Sequence, residues 1–463
     1  MAPRNTKQEA PARGTRFARS SSATLLQPEL SLQHLQKKAF AYFVQQTNAT
    51  NGLVRDKNAK GWPASIAATG LGLASFAVGV ERGLIDRRTA IQRTLAALNF
   101  FAESTQGETP DASGYRGFYY HFLDWNSGRR AWDSEVSTVD TAFLIAGMLA
   151  AAAYFDGDGA DESRIRELAR WLYERVDWRW AQGPGGTLRH GWRPETGFIP
   201  FEWEGYDEGL LLYVLALGSP THAPARNAFA AWASTYEWKR AYDIDYLYSA
   251  PLFTHQLSHV WIDFRGIQDD FMRAKGIDYF ENTRRATLIQ QRYAIENPLR
   301  LKGYGAECWG VTASDGPGPA TQKIDGVLRH FFDYEGRGAP HGIDDGTIAP
   351  WAVAASLPFA PEIVMPTLQH FVHALELHDA HPYGFKASFN RTFVADARIG
   401  DSGGWISPYC FGLNLGPVVL MVENHQSGML WELMRGSAPI VRGLRRAGFA
   451  GGWLDRAAPT SPD

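Results

Sequence analysis

The sequence predicts an all-α fold in which a ring of six helices sits inside six others, an (α/α)6 barrel with long loops at the N-terminal mouth of the inner helices. Three observations predict it. Helical periodicity dominates, with twelve candidate helices and few stretches that alternate with period two. Two kinds of helix take turns along the chain, one apolar nearly all round and the other charged on one face. No Pro/Gly/Ser-rich linker interrupts the core, so the 463 residues read as a single domain.

The candidate helices cover about 31–47, 65–82, 87–104, 136–154, 160–176, 206–217, 223–236, 252–263, 270–294, 348–357, 361–377 and 416–435. Runs such as IAATGLGLASFAVG and STVDTAFLIAGMLAAAA are apolar on every side, and a helix of that kind is buried on every side. Runs such as RRTAIQRTLAALNFFAES and ESRIRELARWLYERV keep charge on one face and belong outside. Inner helices are expected to start near Ser65, Ser137, Tyr206, Phe253, Ile348 and Pro417. In a ring they run parallel, so the loops that feed them share one mouth. Those loops (61–65, 130–138, 198–209, 243–256, 339–351 and 407–417) are polar and aromatic, and helix N-termini add partial positive charge there. Residues 1–28, with Arg4, Lys7, Arg13, Arg16 and Arg19 among Ser, Ala and Pro, read as a disordered basic tail. Residues 29–455 form the barrel, and 456–463 a loose end.

Composition narrows the function. With 46 basic and 49 acidic residues the net charge is −3, which gives no broad basic surface for nucleic acid. No apolar run is long enough to span a membrane, and the N-terminus shows no apolar stretch of signal-peptide type. Cys308 and Cys410 are too few for a disulfide scaffold and match no zinc spacing. The 16 Trp, 18 Tyr and 26 Phe beside 46 Gly stand out. Aromatic rings offer flat apolar faces that match the C–H faces of sugars, which points to carbohydrate.

Two acidic clusters could carry chemistry: Asp133, Glu135 and Asp140, and Glu202, Glu204, Asp207 and Glu208. Glycoside hydrolysis needs one carboxyl kept protonated for the leaving oxygen and a second kept ionised. Ser137-Thr138-Val139-Asp140 also has the form of a capping box, and Glu208 falls in a first helical turn where acids are favoured anyway. His255 and His259 are spaced to bind zinc from one helix face, but no third ligand is evident; they read as satisfied polar residues. Asp156-Gly157-Asp158-Gly159 begins like a calcium loop without its terminal Glu and reads as a surface turn. Gly400-Asp401-Ser402-Gly403-Gly404 copies the letters around a serine-protease nucleophile, a reading that demands a β-barrel; Asp401 could still reach a cavity. No phosphate loop or dinucleotide fingerprint occurs. Neither metal nor cofactor is expected. Trp62, Trp132, Trp192, Trp203, Trp309, Trp351 and Trp405 fall in loops or at helix starts, where rings are hard to bury and could serve as sugar platforms.

Longer blocks carry a resemblance. Phe201-Glu202-Trp203-Glu204-Gly205-Tyr206-Asp207-Glu208 with LLLYVLALGSPTH, the stretch HQLSHVWIDFRGIQDDFMRAKGIDYFENTRRATLIQQRYAIENP with GYGAECWGVTASDGP, DSEVSTVDTAFLIAG, and GPVVLMVENHQSGMLWELM resemble the glycoamylase-like domain of bacterial β-1,2-glucan enzymes over roughly residues 30–450. Relatives include endo-β-1,2-glucanases, sophorose-releasing enzymes and a domain of cyclic β-1,2-glucan synthases. The resemblance implies an (α/α)6 barrel, Glu208 as proton donor to the departing oxygen, and inversion of the anomeric centre. The chain departs from the family at Ala387 and Asn414, where relatives often carry an acid. The base therefore stays open among Asp133, Glu135, Asp140 and Asp401, with the 133–140 cluster ranked first.

The expectation is an endo-acting hydrolase of linear or cyclic β-1,2-glucan; a transglycosylase on the same barrel and a non-catalytic glucan receptor are the alternatives. Substrate contacts are expected from Trp62, Tyr119, His121, Trp192, Trp203, Tyr206, His255, Gln256, Trp309, Asn390, Trp405 and Asn414. A monomer is expected. The substrate class favours periplasm or secretion, while the missing signal leaves the cytoplasm open.

Overall fold

The computed structural model describes residues 30–458; the expected 1–28 tail and the last five residues of the C-terminal tail lie outside them. Fourteen α-helices occur among the described residues: α1 (Leu32–Gln45), α2 (Ile66–Glu81), α3 (Arg87–Glu103), α4 (Thr138–Tyr154), α5 (Ala160–Glu174), α6 (Gly209–Gly218), α7 (Ala228–Ala233), α8 (Asp270–Lys275), α9 (Tyr279–Glu296), α10 (Pro350–Ala355), α11 (Pro361–Gln369), α12 (Gly412–Gln426), α13 (Met429–Arg435) and α14 (Ala438–Arg446).

The apolar helices are inner ones, as their sequences require. α2 and α4 are buried along nearly their whole length. They touch so closely that a Cβ on Gly147 would stand 2.0 Å from the Gly70 carbonyl oxygen; two glycines let the backbones meet. α4 continues to α6, α6 to the 3-10 turn Leu257–Val260, which follows the turn Leu252–His255, and α10 to α12, which returns to α2. Gln256 closes the remaining gap by donating to the Ala352 carbonyl and to Ser356 Oγ, both at 2.7 Å. Six apolar segments thus contact one another around a circuit. Outside them, α1 covers α12 and α2, α3 and α5 cover α2 and α4, α14 covers α6, α9 the first 3-10 turn, and α11 covers α10.

Several elements differ from the sequence expectation. The expected helix 252–263 is two 3-10 turns, because its polar side chains bond backbone: Thr254 Oγ1 donates to the Pro251 carbonyl and Ser258 Oγ to the Glu208 carbonyl. The expected 416–435 helix is broken at Gly428, whose φ of 71° leaves the helical region. The expected 270–294 helix breaks likewise at Gly276, φ 71°. The expected outer helix 223–236 shrinks to α7, and α14, absent from the sequence expectation, packs on α6 instead.

Short antiparallel strands decorate the mouth. One sheet orders Gly114–Tyr115, Phe118–Tyr120, Val136–Ser137, Gly191–Arg193 and Gly197–Phe198. A second orders Thr347–Ile348, Phe389–Asn390, Ser402–Ile406 and Ala397–Ile399. Ala64–Ser65 pairs with Phe122–Leu123. Three of these strands run directly into α2, α4 and α10, so the sheets set where those helices begin.

Candidate active site

Two cavities, of about 270 and 310 Å³, open at the helix N-termini and join at a neck formed by His121, Tyr334, Leu413 and Asn414, which line both. Every one of the six loops expected at the mouth contributes a lining side chain: Trp62, Glu135, Glu208, Phe253, Trp351 and Asn414 are one from each.

Glu208 immediately precedes α6 and lines the first cavity. Its carbonyl accepts from Ser258 Oγ, which also receives the Leu211 amide, so the 3-10 segment fixes its backbone. Burial lifts its carboxyl to about 7, and the Asp140 charge adds to the lift. Asp207 beside it is raised by burial and by the Glu208 charge, with Oδ1 accepting the Gly209 amide at 2.9 Å.

Asp140 lies in the first turn of α4 on the wall of the same cavity. The capping box and the cavity use it together: its amide donates to Ser137 Oγ at 3.2 Å, and that hydroxyl donates to Asp140 Oδ2 at 2.5 Å. Glu135 lines the cavity too, its Oε1 3.1 Å from His121 Nδ1 and its Oε2 3.8 Å from Arg193. Burial pushes the Glu135 carboxyl up, but His121 and Arg193 outweigh it and hold it below its ordinary range. Burial pulls the His121 imidazole down, while Asp140, Glu135 and Asp56 together raise it to about 9. One cavity therefore holds an acid that keeps its proton and an acid that loses it.

Aromatic rings surround these groups. Trp203 stacks on His190 at 3.9 Å and donates its indole N–H to Thr138 Oγ1 at 3.2 Å. Trp62 donates to Asp56 Oδ2 at 3.1 Å and meets Trp132 edge-on at 5.1 Å in the second cavity. The Lys57 ammonium lies 3.8 Å over Trp62 and 4.5 Å over Tyr409.

Of the expected residues, Glu208, Glu135, Asp140, His121, Trp203, Trp351, Trp62, Trp132 and Asn414 line the two cavities. The others stand elsewhere. Asp133 is exposed and lines neither cavity. Asp401 is exposed at a strand turn, 3.6 Å from Arg391. Tyr119 is buried, donating to the Phe101 carbonyl. Trp192 stacks on Tyr115, and Trp405 sits within strand Ser402–Ile406. Tyr206 packs on Tyr279. His255 reaches the Ser249 carbonyl, and Gln256 braces α10. Trp309 donates to Thr367 Oγ1, and the Asn390 amide bonds the Asp345 carbonyl and Thr347 Oγ1. Asp56, Lys57, Asp315, Asp333 and Tyr334 line the cleft without having been singled out. Asp315 lay within the TASDGP block of the resemblance; Asp56 and Tyr334 sit in segments with no period to read.

Residues 200–438 match the Glycoamylase (glucoamylase) family model. The chain is 28% identical over 453 residues to an exo-β-1,2-glucooligosaccharide sophorohydrolase (non-reducing end) from Parabacteroides distasonis, covering 90% of this chain and 58% of that relative; it spans under two thirds of that protein. A crystal structure of a β-1,2-glucanase from Parabacteroides distasonis superposes with a TM-score of 0.77 at 27% identity, covering 90% of this chain and 59% of that one. A Bacteroides uniformis structure carrying a provisional glucoamylase assignment gives a TM-score of 0.79 at 28% identity over 92% of this chain and 99% of that one.

Proposed function

Because the chain belongs to the Glycoamylase family, we propose that it is a glycoside hydrolase cleaving β-1,2-glucan on an (α/α)6 barrel. The observation that carries the reading is Glu208: a carboxyl raised by burial and by Asp140, on the wall of a cleft built from all six mouth loops. Glu208 protonates the departing glycosidic oxygen. Water attacks the anomeric carbon as that C–O bond breaks, and its proton passes to the Glu135–Asp140 pair, directly or through a substrate hydroxyl. The anomeric centre inverts. The names of the sophorohydrolase and the β-1,2-glucanase support the substrate class.

The second cavity extends the cleft past the neck, with Trp62 and Trp132 as platforms for further glucose units. Such an extension suits an endo-acting enzyme that binds chain on both sides of the bond. The relative's non-reducing-end sophorohydrolase activity favours a second reading, stepwise release of sophorose.

Glu208→Gln should lower turnover on linear β-1,2-glucan by about 10²-fold or more, without loss of fold. A variant that keeps wild-type turnover overturns the assignment. In the wild type, new reducing ends with mixed oligosaccharides mark endo action, and sophorose alone marks exo action. Redistributed chain lengths without new reducing ends mark transglycosylation, and binding without turnover marks a receptor.

A further inference from the structure

His121 occupies the neck between the two cavities, and its two ring nitrogens each face a carboxylate. Nδ1 is 3.1 Å from Glu135 Oε1, and Nε2 is 3.6 Å from Asp140 Oδ2. A neutral imidazole has one N–H, so its other nitrogen would turn a lone pair toward an acid; only the imidazolium presents a proton to both. The backbone holds this orientation. The His121 amide donates to the Glu135 carbonyl at 2.9 Å, its carbonyl accepts from Ile66, and its ring stacks on Phe122 at 4.0 Å.

We propose that His121 is a doubly protonated positioning residue, whose imidazolium ties Glu135 to Asp140 and keeps that pair ionised to take the proton of the attacking water. The proposal rests on the hydrolase reading for the reaction it serves, and on geometry alone for the charge it carries. It departs from the expected role of a hydrogen-bonding partner for sugar hydroxyls.

The charges around the ring are consistent with that role. From the 54–62 segment come Asp56, which favours the cation, and Lys57, whose ammonium is held over Trp62, Tyr409 and Phe411. Glu135 immediately precedes the strand Val136–Ser137 and Asp140 lies in the first turn of α4, with Arg193 on the neighbouring strand, 3.8 Å from Glu135. Glu208 and His190 line the first cavity, Asp315 and Asp333 the second, and Tyr334 both. Acids outnumber bases around the neck, so one fixed cation there has a purpose: it offsets the charge of two carboxylates that face the same ring from its two nitrogens.

The charge can be read without substrate. In nitrogen-resolved NMR of the histidine side chains of the full chain, assigned by the signal lost in His121→Gln, both His121 nitrogens should be protonated at pH 7 and titrate near 9. A neutral ring at pH 7 overturns the proposal, whatever the enzyme's substrate. The role is read by the pH profile of kcat/KM on β-1,2-glucan. In His121→Gln the acidic limb should move up by about one pH unit, a loss of about tenfold on that limb. A uniform loss with unmoved limbs overturns it. If the wild type leaves β-1,2-glucan untouched, the hydrolase reading fails while the NMR result on the imidazolium still stands.

Discussion

Ser137 and Asp140 hold each other at the start of α4, the Asp140 amide donating to Ser137 Oγ at 3.2 Å and that hydroxyl returning a bond to the Asp140 carboxylate at 2.5 Å. The N-cap therefore aims a carboxylate into the cavity that holds Glu208. The two residues should separate by experiment. Ser137→Ala removes the cap and should cost about 1 kcal/mol in denaturant unfolding. Asp140→Asn keeps the backbone cap and stays within about 1 kcal/mol, yet should lose about 10²-fold in kcat. Because the Asp140 charge helps raise the Glu208 carboxyl, the same substitution should move the basic limb of the rate profile to lower pH. A basic limb that does not move removes the coupling between them.

In the proposed reaction the Glu208 carboxyl must hold its proton until the glycosidic oxygen departs. Its raised value of about 7 therefore predicts the basic limb of the rate profile, with activity falling as pH rises through about 7. Stability follows the same group. A carboxyl raised on folding contributes stability that is complete below the ordinary Glu value near ~4.3 and is lost as pH rises through about 7. Glu208→Gln carries no charge to bury, so its Tm relative to wild type should rise between pH 5 and pH 8. A Tm difference that is the same at both values contradicts the burial of this charge.

α2 and α4 are legible in the sequence because small residues on every face leave no side for water, and Gly70 against Gly147 shows why they had to be small. Glu208, Glu135 and Asp140 are legible as acids beside helix starts and rings. What a single sequence does not give is the direction of a ring in a loop. Trp62 and Trp309 look alike in their loops, yet one lines the cleft and the other bonds Thr367 inside the core. Asp56 and Tyr334 escaped because they reach the cleft from non-periodic segments, where position depends on contacts far along the chain. The fourth inner segment failed as a helix because Thr254 and Ser258 bind backbone rather than solvent.

Trp132 tests the platform idea. It is 55% exposed in the second cavity and sits at φ 54°, a left-handed conformation costly for a bulky residue. Trp132→Ala should raise KM for long glucan about three- to tenfold, the worth of one aromatic contact, with kcat unchanged. Trp132→Gly should bind as poorly but unfold about 1 kcal/mol later than the alanine variant, because glycine takes positive φ without penalty. Equal stability would mean the strain is absent, and an unchanged KM would mean the ring is no platform. Trp309→Ala, by contrast, should cost about 3–5 kcal/mol as a core truncation.

Arg337 tests how the far wall of the cleft is held. Its guanidinium and the Asp345 carboxylate are both fully buried and paired through two bonds of 2.8 Å. The same guanidinium donates to the carbonyls of Ser314, Phe332 and Asp333. Those carbonyls flank Asp315 and Tyr334, so one buried cation ties down the segment that supplies them to the second cavity. Arg337→Met leaves Asp345 charged and unpaired and should cost about 3–5 kcal/mol. Arg337→Met with Asp345→Leu should recover part of that cost, because no charge is then buried alone. It should not recover kcat/KM, because the three carbonyls still lack their donor and the wall is free to shift. A double variant with wild-type kcat/KM would show that the pair serves stability alone; a single variant as stable as wild type would show that the burial carries no cost.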